Sequence, residues 1–205
     1  MRLLFTYLAC VFLGGMSVNV FAQDKVIFED DFNHSKKFEK NWFDNSTEEK
    51  TGKIEYKKKG GIDNSGCVKI SNPERGAIRI MHSLNNLEPG KLYRMSAMMK
   101  CVGVKEGRGA VIYLNPDGLE QGWNASKFVY DDMEWSEIYM DFVPNQKGEA
   151  TICCALGFPW GTYNGGKALG EVYYDNVRVE PIGDKLYHRE SKHFIVSLDK
   201  DKVTI

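Results

Sequence analysis

Lys91-Leu92-Tyr93-Arg94-Met95-Ser96-Ala97-Met98-Met99-Lys100-Cys101-Val102 is the stretch that decides the fold class. Read with a period of two, Tyr93, Met95, Ala97, Met99 and Cys101 share one face, while Arg94, Ser96 and Lys100 share the other. Such alternation belongs to a strand with one side buried and one side in water. The turn before it is Glu88-Pro89-Gly90, where Pro presets φ and Gly accepts a positive φ.

The same pattern recurs on both sides of this strand. Val26 to Phe32 opens the series, and Ile54 to Lys58 and Cys67 to Ser71 flank a Gly60-Gly61 turn. Ala77 to Leu84 points Ile78 and Ile80 inward and Arg79 outward. Ala110 to Asn115 places Ala110, Ile112 and Leu114 on one face and Tyr113 and Asn115 on the other. Trp135 to Val143 aligns Ile138, Met140 and Phe142, and Thr151 to Phe158 and Glu171 to Glu180 complete the set. About nine short strands with no helical periodicity between them specify an all-β fold, an antiparallel β-sandwich or barrel.

Residues 1–22 read as a signal peptide. Arg2 supplies the positive start, Leu3 to Gly15 a short apolar core, and Val20-Phe21-Ala22 small residues at the -3 and -1 positions before Gln23. Cleavage is expected after Ala22, and the protein is then secreted or periplasmic. The apolar stretch is too short for a membrane span, so none is expected once the signal is removed. Cys10 follows Leu8-Ala9 as in a lipoprotein signal, but Tyr7 and the apolar Val11-Phe12-Leu13 beyond it favour ordinary cleavage. Residues 23–181 are then the sandwich. Pro181-Ile182-Gly183-Asp184 reads as a boundary, and 182–205, with an alternating run from His193 to Leu198, as a C-terminal extension or the start of a further domain.

The chain has 205 residues and a formal net charge of -1, which argues against a nucleic-acid partner. The run Lys57-Lys58-Lys59 reads as a solvated loop or a guard on a sheet edge. After cleavage Cys67, Cys101, Cys153 and Cys154 remain. Without any CxxC spacing they read as small buried thiols rather than as a zinc site or a disulfide framework.

Several segments, in order, carry a resemblance. They are Phe28-Glu29-Asp30-Asp31-Phe32-Asn33, the loop Gly61 to Gly66 leading into Cys67-Val68-Lys69-Ile70, and Pro89-Gly90-Lys91-Leu92-Tyr93-Arg94-Met95-Ser96. Trp135-Ser136-Glu137 and Val172-Tyr173-Tyr174-Asp175-Asn176-Val177 follow. Together they resemble the galactose-binding-like jelly rolls, especially carbohydrate-binding modules of the family four, nine and twenty-two type, over Val26 to Glu180. The resemblance implies a jelly-roll β-sandwich with Trp42 and Trp135 in its core. It also implies a structural Ca²⁺ tying the first strand to the last, with Glu29, Asp31 and Asp175 as candidate carboxylates and the 61–66 loop as a source of carbonyls. The alternative is that Asp30 and Asp31 are exposed strand-end charges and Asp175 caps a turn. In the expected Phe-Glu of the first strand, Phe32 is followed by Asn33, unless the pair is displaced to Phe28-Glu29.

Sugar recognition needs flat aromatic faces and planar polar groups. Trp123 lies in Gln121-Gly122-Trp123-Asn124, and Trp160 and Tyr163 lie in the Gly- and Asn-rich stretch 157–166. Arg79, Tyr113 and Asn115 sit opposite the apolar faces of their strands. These six are the candidate carbohydrate-binding residues. Against that stands the possibility that the loop aromatics plug the ends of the sandwich. Enzyme signatures are absent: no GxSxG occurs, and His188 to His193 lacks zinc-protease spacing. Asp131, Asp132 and Glu134 are explained by a polar turn. The reading is a non-catalytic carbohydrate-binding module with an oligo- or polysaccharide partner; the alternative is a structural or protein-binding sandwich of a larger secreted protein.

Overall fold

The computed structural model describes residues 25–44, 52–115, 124–158, 166–182, 187–190, 195–199 and 202–204. The alternating stretch becomes β6, Tyr93–Lys105, an interior strand of the larger sheet. Its neighbours are β10, Ala168–Pro181, and β8, Asp131–Phe142. Outward from β10 come β4, Cys67–Gly76, and the edge strand β3, Lys53–Lys57. β1, Phe28–Asp30, also pairs with β10, so the order β3-β4-β10-β6-β8 carries β1 as a branch. The smaller sheet runs β2-β5-β9-β7, that is Phe43–Asp44, Ile78–Leu84, Ala150–Leu156 and Ala110–Leu114. All pairings are antiparallel. β11, Tyr187–Glu190, β12, Ile195–Asp199, and β13, Lys202–Thr204, form a separate three-stranded sheet.

The core lies between the two main sheets and follows the alternation. Tyr93, Met95, Ala97, Met99 and Cys101 from β6 meet Ile78, Ile80, Ile112, Leu114 and Cys154 from the smaller sheet. Tyr174 crosses the layer. Its hydroxyl donates towards the carbonyls of Ala155 (2.6 Å) and Val111 (3.0 Å) and accepts the Ala155 N–H (3.1 Å), tying β10 to β9 and β7. The four thiols are free and buried.

Two expectations change. A helix, α1, spans Ser35–Asn41. Its sequence, Ser-Lys-Lys-Phe-Glu-Lys-Asn, is too short to show a helical period and has no side-chain cap. Trp42 is buried in the core as expected, but Trp135 is half-buried and outside it. Met99 pairs with Ser136 and Cys101 with Met133, so β8 carries one residue more than β6 between those pairs. Trp135 is out of step with the inward Ile138, Met140 and Phe142, so alternation itself sets the indole on the outer side; the bulge instead brings Met133 against the core.

Candidate functional site

The outer face of the smaller sheet is the candidate site. β9 lies between β5 and β7, so Arg79, Ala155 and Val111 form one row across the face, and Met81, Cys153 and Tyr113 the next. Asn115 continues past β7, and its N–H donates to the Thr151 carbonyl at 2.8 Å. Arg79 Nη1 donates to the Tyr113 hydroxyl at 3.0 Å. Arg79, Tyr113 and Asn115 therefore share one face as the sequence implied, and two of them touch.

That face is not open. Arg79, Tyr113 and Asn115 are 7%, 0% and 8% exposed. Met81, Val111, Cys153, Ala155 and Phe158 make a second hydrophobic layer with Tyr113. Phe158 meets the Tyr113 ring edge-on at 4.9 Å, and Phe128 meets Phe158 at 5.8 Å. The Arg108 guanidinium lies over both Phe rings, 5.3 and 5.6 Å from their centres. Residues 124–130 run beside β7, bridged at Tyr113–Ala125 and Ala110–Val129. Burial pushes the Tyr113 hydroxyl well above its ordinary range and the Cys153 thiol up to about 12, so neither is a nucleophile at neutral pH.

Trp123, Trp160 and Tyr163 lie outside the described residues, but the stems of their loops are placed. One loop leaves Asn115 and returns at Asn124, whose carbonyl accepts the Leu114 N–H at 2.9 Å. The other leaves Phe158 and returns at Gly166, whose carbonyl accepts the Phe158 N–H at 2.6 Å. Leu114 pairs with Ile152 and Ala110 with Leu156, so the first stem stands at the Thr151 end of the face and the second beyond its Leu156 end. Both stems stand at the margin of the face that holds Arg79 and Tyr113.

The candidate carboxylates for metal do not assemble. Glu29 is exposed on β1 opposite Arg178. Both oxygens of Asp31 are held by Asn33, at 3.1 Å from its N–H and 3.0 Å from Nδ2, which keeps its carboxyl below the usual range. Asp175 is fully buried; Oδ2 accepts the Ile62 N–H at 3.0 Å and the Ser65 hydroxyl at 2.7 Å, and Oδ1 the Asn176 N–H at 2.7 Å. Among the described residues no three His, Cys, Asp or Glu side chains gather around a point. The expected three carboxylates are therefore not gathered as one cluster. Asp131, Asp132 and Glu134 are exposed on β8 in the larger sheet; Asp132 accepts the Gly103 N–H and Glu134 pairs with Lys100.

Sequence reasoning missed Phe128, Phe158 and Arg108 as the cover of the face. One signal was present. Ala110–Leu114 and Ile152–Leu156 are unbroken apolar runs, the mark of strands buried on both sides.

Solved structures share this architecture. The chain superposes on the CBM22-1 xylan-binding domain from Paenibacillus barcinonensis Xyn10C with a TM-score of 0.53 at 9% identity, over 78% of this chain and 96% of that one. The C-terminal family 22 carbohydrate-binding module of Clostridium thermocellum Xyn10B gives 0.51 at 13% identity, over 79% and 98%. The chain has the jelly-roll fold of these modules. A third match is the enzymatically active domain of tailspike protein 4 of bacteriophage CBA120, with a TM-score of 0.50 at 16% identity. It covers 73% of this chain but only 21% of the tailspike chain, so the likeness is to a fraction of that protein. No protein-family model and no curated protein matches the sequence. Among the described residues no helix is long and apolar enough to cross a membrane.

Proposed function

We propose that the chain is a secreted, non-catalytic module that binds an oligo- or polysaccharide by stacking on loop aromatics. The observation that carries the reading is that the stems of two loops, one bearing Trp123 and the other Trp160 and Tyr163, stand at opposite ends of the face that holds Arg79 and Tyr113. Hydrogen bonds alone gain little over water for a heavily hydrated glycan, whereas a rigid aromatic face adds apolar contact at small entropic cost. The family 22 likeness supports the fold on which such a site is built; the sugar itself is argued from this chain's residues.

A panel of soluble glycans titrated against the secreted protein tests the proposal. Trp123→Ala and Trp160→Ala are each expected to weaken binding by about 1–3 kcal/mol, roughly 5- to 150-fold, with little change in unfolding. No binding to any glycan at millimolar concentration overturns the reading. The burial of Arg79, Tyr113 and Asn115 favours a second reading, in which the loops seal the face and the module is structural. A large stability loss from both Trp substitutions selects that reading. Export is tested by N-terminal sequencing, which is expected to begin at Gln23.

A further inference from the structure

The seam where β1, α1, the 61–66 loop and β10 meet is held together by a set of hydrogen bonds and one ion pair. Asp30, fully buried at the end of β1, accepts the Phe32 N–H at 3.1 Å through Oδ1 and the Trp42 indole N–H at 3.0 Å through Oδ2. Both donors are neutral. A cation, Lys37 in the first turn of α1, stands beside this carboxylate. Its Nζ stands 3.5 Å from Asp30 Oδ1 and donates to the Glu29 carbonyl at 2.7 Å.

Several other oxygens of the seam are engaged by N–H or O–H donors. The carbonyls of Gly61, Ile62 and Ser65 accept the N–H groups of Asn64, Ser65 and Gly61. Asn33 Oδ1 accepts the Gly66 N–H at 2.9 Å, joining the first strand to the loop directly. Gly66 is pressed so close to the Phe32 carbonyl that a side chain there has no room. Asp175 joins the same loop to β10 through Ile62 and Ser65. The chain segments that a divalent ion was expected to tie together are tied by hydrogen bonds. Asn33, the residue after Phe32, brings no charge where the sequence pattern leads one to expect a carboxylate.

We propose that the Lys37 ammonium is the resident cation of this seam and that, with Asn33, it makes folding of the domain independent of calcium. Lys37 serves as a tethered monovalent counter-ion for Asp30 and as the clasp between α1 and β1.

Thermal unfolding of the full chain, followed in chelator and in millimolar CaCl₂, tests this. The melting temperature is expected to be the same in both. Lys37→Met, which keeps the aliphatic stem, is expected to lower it by several degrees in both media, and Lys37→Arg to recover most of the loss. A fall in the wild-type melting temperature on chelation overturns the proposal, as does stoichiometric Ca²⁺ uptake by calorimetry. A Lys37→Met protein as stable as the wild type also overturns it, because Asp30 then needs no ammonium. If Lys37→Met does not fold, the wild-type comparison and the Lys37→Arg variant still decide the matter.

Discussion

The two main sheets turn opposite characters outward. On the larger sheet the outer face is a lattice of ion pairs: Lys69–Glu171, Lys100–Glu134, Arg94–Asp141 and Arg178–Glu180, at 2.6 to 2.9 Å. On the smaller sheet it is a second hydrophobic layer of Tyr113, Cys153, Ala155 and Phe158, with Arg79 within it. A sandwich needs only its inner faces to be apolar. The charged face is the ordinary outcome for a sheet that ends in water. The apolar one marks a sheet prepared to carry something on its outside, here residues 124–130, Phe158 and the stems of two loops. The contrast predicts where substitutions will hurt.

The sharpest test sets one tyrosine against another. Tyr113 is fully buried, packs on Phe158 and accepts from Arg79, whereas Tyr139 on the larger sheet is 53% exposed beneath the Arg94 guanidinium. Tyr113→Ala is expected to cost about 3–5 kcal/mol in urea unfolding. Tyr139→Ala is expected to cost under about 1 kcal/mol, the worth of an exposed cation–π contact. Equal costs would dissolve the distinction between the faces. Tyr174→Phe comes next in size. It keeps the ring in the core but leaves the Ala155 N–H without the hydroxyl it donates to, a loss of about 1–3 kcal/mol.

The two regions should also titrate in different windows. His82 on β5 stacks on Phe28 at 4.0 Å, lies against Trp42, and its Nδ1 is 2.7 Å from the Asn41 carbonyl, with Asp30 nearby. Burial lowers its pKa from the ordinary 6.5, against the opposing pull of the Asn41 carbonyl and Asp30. A depressed folded-state pKa means the neutral ring is the stable form. Its contribution is complete above about 6.5 and is lost as pH falls through the folded value. On the larger sheet, Glu171 is held below its ordinary 4.5, first by the hydrogen bond from Lys69, so its contribution is lost only at lower pH. Unfolding midpoints measured across pH should therefore fall in two steps. His82→Gln should remove the upper step and spare the lower one; a single step in the wild type would contradict the assignment.

How much of this was legible varies with the range of the interaction. The inward residues of β5, β6, β7 and β8 follow from alternation alone, because burial on one face is a local constraint. Arg79, Tyr113 and Asn115 were placed on their common face by the same rule. Trp135 was put in the core by the resemblance, against that rule, which sets it opposite Ile138, Met140 and Phe142; what left no mark in the sequence is the extra residue in β8 that brings Met133 to the core side. The role of Asp30 was hidden for another reason. Its carboxylate is recognisable, but the Lys37 ammonium and the Trp42 indole that meet it come from a helix of only seven residues, Ser35–Asn41, with a single apolar side chain, and from the residue that follows it. Asp175 and Asp31 were visible as acids, whereas the backbone N–H groups that occupy them belong to no residue type and cannot be read from composition. Carboxylates in a pattern suggest a metal; only the donors around them decide.

The smallest expected effect lies on the charged face, and it is the one that shows whether that face is merely solvated. Lys100 Nζ meets Glu134 Oε2 at 2.9 Å, with the Glu134 side chain 87% exposed. In water the Coulomb gain of such a pair is offset by the entropy of holding two long side chains together, and salt screens the rest. Glu134→Gln should therefore change stability by no more than about 0.5 kcal/mol, and that difference should shrink in high salt. The comparison with Tyr113→Ala then spans nearly an order of magnitude between two outer faces of one sandwich. A loss of more than about 1 kcal/mol at Glu134, insensitive to salt, would mean the pair is shielded from solvent. The larger sheet would then carry a cover of its own, and the division of roles between the two faces would have to be redrawn.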